Sequence, residues 1–113
     1  MDERIEKWLL DILQAIEETE QYFTIYPKTF HSFQSNILLK RATERNLEII
    51  GEAMNRILLR EPNFPIENAR RIVGLRNHII HAYDNISDEN IWAIVINHLP
   101  KLKAEIDKLL NRL

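Results

Sequence analysis

Apolar side chains recur every three or four residues along almost the whole chain, the spacing that lines one face of an α-helix. Only two glycines, Gly51 and Gly74, stand among the 113 residues, and neither belongs to an Asn-Gly or Asp-Gly pair that would turn a hairpin. The chain therefore reads as all-α: four main helices and one short one, in an up-down bundle joined by brief loops. No linker, repeat or low-complexity stretch divides it, so residues 1–113 are expected to form one domain.

The helices can be placed from the apolar stripes. The first is expected from about Asp2 to Phe23, with Ile5, Leu9, Ile12, Ile16 and Phe23 on one face and Asp11, Glu17, Glu18 and Glu20 largely off it. Pro27 ends it, and a short irregular or helical turn carries Phe30 and Phe33. A second long helix spans about Asn36 to Arg60, with Leu38, Ala42, Ile49, Ile50, Ala53, Met54 and Ile57 marking its buried side. Gly51 falls mid-helix and costs roughly 1 kcal/mol relative to alanine, which close approach of another backbone would justify. Pro65 suits the first turn of a third helix reaching Tyr83, which Asp84 and Asn85 break. Ser87 is placed to cap the last helix, from about Asp88 to Arg112, with Asp88 and Glu89 in its first turn and Pro100 kinking it. Trp8 and Trp92 read as core or interface residues, and Lys101, Lys103 and Lys108 as a solvated face.

Composition narrows the chemistry. There is no cysteine, which removes disulfides, thiol nucleophiles and cysteine-bound zinc. The charged start MDERIEKW has no apolar signal core, so a cytoplasmic location is expected. The formal net charge is −2, so any surface for RNA must be local or must be assembled from two chains. Lys40, Arg41 and Arg45 make one basic segment, and with Arg70 and Arg71 they are candidates for an RNA-facing rim.

Residues 70–84, RRIVGLRNHIIHAYD, hold the one chemically distinctive stretch. On a helix, Ile72, Leu75 and Ile79 would face the core, while Arg70, Asn77, His81 and Asp84 share a polar face. Arg76 and His81 are five apart and diverge by about 140°. One helix alone would hardly aim both at a single phosphate, whereas two such helices meeting across a two-fold axis would. Val73 and Ile80 would supply the apolar contact for that meeting, so the spacing favours a site composed in a homodimer. A histidine can take the proton of a ribose 2′-OH, and an arginine can hold the phosphate and its developing charge. The 2′-OH requirement makes the substrate RNA. No cluster of carboxylates offers a two-metal site, and His78 and His81 lack an evident third ligand, so neither a metal nor a cofactor is expected. The plainer readings are an interface histidine at 81, a salt bridge from Arg76 to Glu52 or Asp84, and a Tyr83 that packs at a helix end.

RNHIIHAY, Arg76 to Tyr83, resembles the R-x4-H-x-Y motif of HepT-like toxins in the HEPN superfamily. The resemblance extends through ERNLEIIGEA, Glu44 to Ala53, and through VGLRN and ENIWAIVINHLPKLKAEI, with its helix-interior proline, over essentially the whole chain. It implies a HEPN-like bundle in which Arg76 and His81 are the catalytic pair and Asn77 supports them. It also implies a homodimer with the cleft at its interface, cleaving RNA such as tRNA or mRNA. Such a protein would be the toxin of a type VII pair, silenced when an MntA-type minimal nucleotidyltransferase adenylylates Tyr83. The alternative reading is a non-catalytic helical module that docks a nucleotidyltransferase or a nucleotide.

Overall fold

A computed structural model describes residues 1–81 and 87–111, although nothing is described of the His78, Ile80 and His81 side chains. Every regular element among these residues is helical: α1 (Glu3–Ile25), α2 (Phe30–Ser35), α3 (Ile37–Arg60), α4 (Ala69–His81), α5 (Asp88–Ala93), a π-turn (Ile94–His98) and α6 (Leu99–Leu110). No described helix is long and apolar enough to cross a membrane.

Side-chain caps start four of these helices. The Asp2 carboxylate accepts from the amides of Arg4 and Ile5 at 2.8 and 3.2 Å. Thr29 Oγ1 accepts from Ser32 N, Asn36 Oδ1 from Leu39 N and Ser87 Oγ from Asn90 N, at 3.1, 3.1 and 3.2 Å. Each cap satisfies one of the amides that a helix start leaves unpaired. The expected cap at Ser87 is therefore present.

The start of α4 differs from expectation. Pro65 lies outside the helix, which begins at Ala69 after a turn in which Asn68 adopts φ 62°. A left-handed residue cannot continue a right-handed helix from Pro65, and Asn tolerates that conformation better than most. The Asn68 carbonyl then accepts from the amides of Arg71 and Ile72 and opens α4. The expected end of this helix, Tyr83 with Asp84 and Asn85, lies outside the described residues, as does Arg112.

α3 is the central element and packs against α1 on one side and α4 on another. From α1 it receives the expected stripe Ile5, Leu9, Ile12 and Ile16, all buried, while Phe23 is half-buried. Its own buried side is phased differently from the hydropathy reading. Leu39, Thr43, Asn46, Leu47, Ile50, Ala53, Met54 and Ile57 are buried, whereas Leu38 is 76% exposed. Ala42 and Ile49 are half-buried. The difference comes from polar core residues. Asn46 Nδ2 donates to Thr19 Oγ1 at 3.1 Å and to Tyr22 Oη at 3.2 Å, and Thr19 Oγ1 donates to the Ala15 carbonyl at 2.9 Å. These bonds let Asn46 hold a core position that an apolar count passes over, whereas the Thr43 hydroxyl is buried with no hydrogen-bond partner among the described residues.

The C-terminal helical rod closes the bundle. Trp92 of α5 stands edge-on to Phe23 at 5.3 Å between ring centroids and tilted over Phe33 at 5.6 Å. Trp8 packs half-buried against the same core. Pro100 sits at the opening of α6, directly after the π-turn. Proline has no amide hydrogen and its ring collides with the carbonyl four residues back, so the wider turn accommodates it without ending the rod.

Candidate active site at the seam of α3 and α4

α3 and α4 pack as an antiparallel hairpin and approach each other tightly at Gly51. A Cβ placed there would lie 2.2 Å from Arg76 Cβ, 3.1 Å from the Ile72 carbonyl oxygen and 3.2 Å from Arg76 Cγ. The close approach expected to justify this glycine is thus made, and its partner is the stem of Arg76. Ile72, Val73, Leu75 and Ile79 are half-buried against the core, so α4 presents the expected apolar side. Val73 consequently does not stand free as the exposed contact residue anticipated from its position. Ile80 lies outside the described side chains.

Arg76 is held at two levels. Its stem lies against Gly51, and its Nε is buried with no hydrogen-bond partner among the described residues. Its Nη1 donates to Asn77 Oδ1 at 3.1 Å on the exposed side of the seam. The suggested salt bridge to Glu52 is not made, because Glu52 takes Arg56 at 2.9 Å on its own helix. Asp84 lies outside the described residues. An arginine tied to a neutral amide keeps its full charge available to an anion.

α4 remains helical through position 81, so the Arg76 and His81 positions differ by about 140° of rotation and about 7.5 Å of rise. The divergence anticipated from sequence spacing therefore holds for the backbone. Tyr83 lies outside the described residues.

The hairpin divides the five basic candidates, with Arg45 on the same side of Gly51 as Lys40 and Arg41. Lys40 and Arg41 lie about ten residues before Gly51 on α3, at the end of the hairpin where α4 reaches His81. Arg70 and Arg71 lie at the other end, roughly 20 Å away along the axis. The two basic groups thus stand at opposite ends of the hairpin. Lys40 is also engaged, donating to Asp88 at 3.2 Å, while Arg41 pairs with Glu44 at 3.4 Å and Arg45 with Glu48 at 3.1 Å. Arg70 and Arg71 are exposed. Lys103 reaches Glu20 at 2.9 Å, and that hydrogen bond raises the lysine pKa. Among the described residues, no three His, Cys, Asp or Glu side chains converge to hold a metal ion.

A groove of about 490 Å³ opens between α4, the π-turn and α6, floored by Ile72, Leu75, Ile94 and Leu102. Neither Arg76 nor Asn77 lines it. Sequence reasoning named the arginine but not Gly51 as part of its setting. The signal was present, since a glycine inside a strongly periodic helix already asks for a close neighbour.

The profile of the Ribonuclease HepT-like family matches residues 12–109, a span that contains α3, all of α4 and the π-turn. The chain belongs to the HepT-like ribonuclease family. Among its relatives is a Methanocaldococcus jannaschii protein named "Putative RNase MJ1380". The two are 34% identical over 105 residues, 91% of this chain and 94% of that one. A second protein of that organism, named "Putative RNase MJ0127", is 31% identical over 95% of this chain and 88% of its own. A Thermococcus cleftensis protein named "Probable ribonuclease HepT" is 33% identical over 90% and 92% of the two chains. No solved structure matches the chain. In this HepT-like chain the seam of α3 and α4 carries Arg76 and Asn77, the arginine of the R-x4-H-x-Y motif and the polar residue that follows it.

Proposed function

We propose that this HepT-like protein is a metal-independent endoribonuclease whose cleft is shared by two copies of the chain. The observation that carries the reading is Arg76, held at the α3–α4 seam with Nη1 on Asn77 and with no carboxylate partner among the described residues. His81 follows it on the same helix. In this mechanism His81 takes the proton from a ribose 2′-OH. The 2′-oxygen attacks phosphorus, the bond from phosphorus to the 5′-oxygen breaks, and the departing oxygen takes a proton from water. The product end is a 2′,3′-cyclic phosphate. Arg76 binds the phosphate and offsets the charge that builds in the transition state, and Asn77 steadies the guanidinium. The divergence of positions 76 and 81 on one helix is what makes a second copy necessary. Lys40 and Arg41, at the His81 end, serve as local phosphate contacts, and Arg70 and Arg71 contact RNA further out.

The biological setting that fits is the toxin of a type VII pair in the cytoplasm, controlled by an MntA-type nucleotidyltransferase. AMP attached to Tyr83 would put a bulky anion two residues from His81 and repel the RNA phosphate.

The test uses purified protein and RNA in EDTA, with Arg76→Ala and His81→Ala alongside. Cleavage that survives chelation and disappears in both variants is the expected result. Equal cleavage by wild type and variants would remove the nuclease assignment. Stable docking of the nucleotidyltransferase without cleavage or modification would instead favour a binding module. Co-expression with the nucleotidyltransferase should add AMP mass increments to the intact protein, and Tyr83→Phe should abolish them.

A further inference from the structure

We propose that Gly51 is a positioning residue for Arg76, so that a missing side chain on α3 decides where α4 presents its guanidinium. The inference rests on the nuclease reading above and deepens it.

Three observations meet at this point. An added Cβ at Gly51 would stand 2.2 Å from Arg76 Cβ, with the Ile72 carbonyl and Arg76 Cγ as the next nearest atoms. All three are backbone or the inner part of a side chain, so none can swing aside as a flexible tip would. Carbon atoms in contact stand about 3.5–4.0 Å apart, so any residue larger than glycine must push α4 outward by roughly 1 Å or more. Next, Arg76 Nε is buried and unpaired, while Nη1 is fixed on Asn77 Oδ1 at 3.1 Å. The close approach encloses the inner end of the guanidinium, and the asparagine holds its outer end. A guanidinium whose inner nitrogen is enclosed and whose outer nitrogen is hydrogen-bonded has fewer orientations open to it, which is what a transition-state contact requires. Finally, the second glycine supplies an internal comparison. Gly74 sits two residues before Arg76 on the same helix, yet a Cβ there would meet nothing within 4 Å.

The two glycines therefore make opposite predictions under the same substitution. Gly51→Ala should lower kcat for RNA cleavage by about 10- to 100-fold, since a misplacement near 1 Å costs on that order. KM should change by less than about threefold, because charge attraction to RNA is untouched. The pH profile should keep its shape. Gly74→Ala should cleave at the wild-type rate. Arg76→Ala in the same assay separates this inference from the reading beneath it. If Arg76→Ala cleaves like wild type, the nuclease site is wrong. If Arg76→Ala is dead while Gly51→Ala keeps wild-type kcat, only the positioning role falls.

A measurement on unaltered protein covers the case in which Gly51→Ala does not fold. In protein labelled with ¹⁵N-arginine, the Arg76 Nε–H should give a distinct signal that exchanges with water far more slowly than those of the exposed Arg70 and Arg71. An Arg76 Nε–H that exchanges as fast as theirs would overturn the proposal.

Discussion

Asn77 carries two properties at once: it follows Arg76 in the motif, and its side-chain oxygen receives the arginine Nη1. Removing that oxygen leaves the charge but loosens its direction. Asn77→Ala is expected to lower kcat by roughly tenfold, well short of the loss in Arg76→Ala, since one neutral acceptor is worth on the order of 1 kcal/mol. Steady-state cleavage of one RNA by the two variants measures the difference, and equal losses would mean that Asn77 does more than orient. At the far end of α3, Arg60 Nε donates to the Asp2 carboxylate at 2.6 Å. That bond, aided by the amides of Ile5 and Arg4, holds the Asp2 pKa below its ordinary 3.8. A carboxylate depressed in the folded state stabilises the fold above its unfolded pKa, and the benefit fades as pH falls through the folded value. The gap in Tm between wild type and Arg60→Ala should thus be open at pH 6 and narrow progressively as the pH falls below the ordinary value of 3.8. A gap that stays constant across that range would show that the pair does not titrate with folding.

At the level of elements, the last rod shows how a proline is housed. Pro100 follows the π-turn Ile94–His98 and opens α6, so the amide it lacks is not missed by a regular α-helical ladder. Pro100→Ala should therefore change stability by less than about 1 kcal/mol. Ala104→Pro, one turn further along where the ladder is regular, should cost about 3 kcal/mol or more. Urea midpoints of the two variants decide this, and comparable losses would show that the π-turn is not what accommodates the proline. α3 teaches a related lesson about hydropathy. Its stripe runs through the hydrogen-bonded Asn46, which the apolar count skips, and Leu38 is left in solvent. The phase of a helix is set by what its neighbours can bond as well as by what they can exclude from water.

At the scale of the whole molecule, the geometry of α4 bears on the proposed second copy. α4 rests on α3 along one side, and positions 76 and 81 point about 140° apart around its axis. If each cleft draws Arg76 from one copy and His81 from the other, mixing inactive Arg76→Ala with inactive His81→Ala protein rebuilds one intact cleft per mixed dimer. Cleavage should reappear after the two are unfolded together and refolded. Silence in that mixture, with dimers verified by sedimentation, would place the arginine and histidine of each cleft on the same chain. The formal net charge of −2 adds that attraction for RNA must come from local surface. The ion pairs made by Lys40, Arg41 and Arg45 limit how much of that surface is free in one protomer.

The periodicity of apolar residues and the scarcity of glycine already specified an all-helical chain, because a 3.6-residue repeat is a local property that neighbours in sequence enforce. The same holds for the cap at Ser87, the helix carrying RNHIIH and the angular offset between Arg76 and His81. Other features waited on contacts between residues far apart in the chain. They include the start of α4 at Ala69 rather than Pro65, the solvent exposure of Leu38 and the capture of Lys40 by Asp88. The seating of Arg76 against Gly51 belongs with them. Each depends on the distance between two helix axes or the path of a loop, and these are fixed only when the whole set of packed faces is satisfied together.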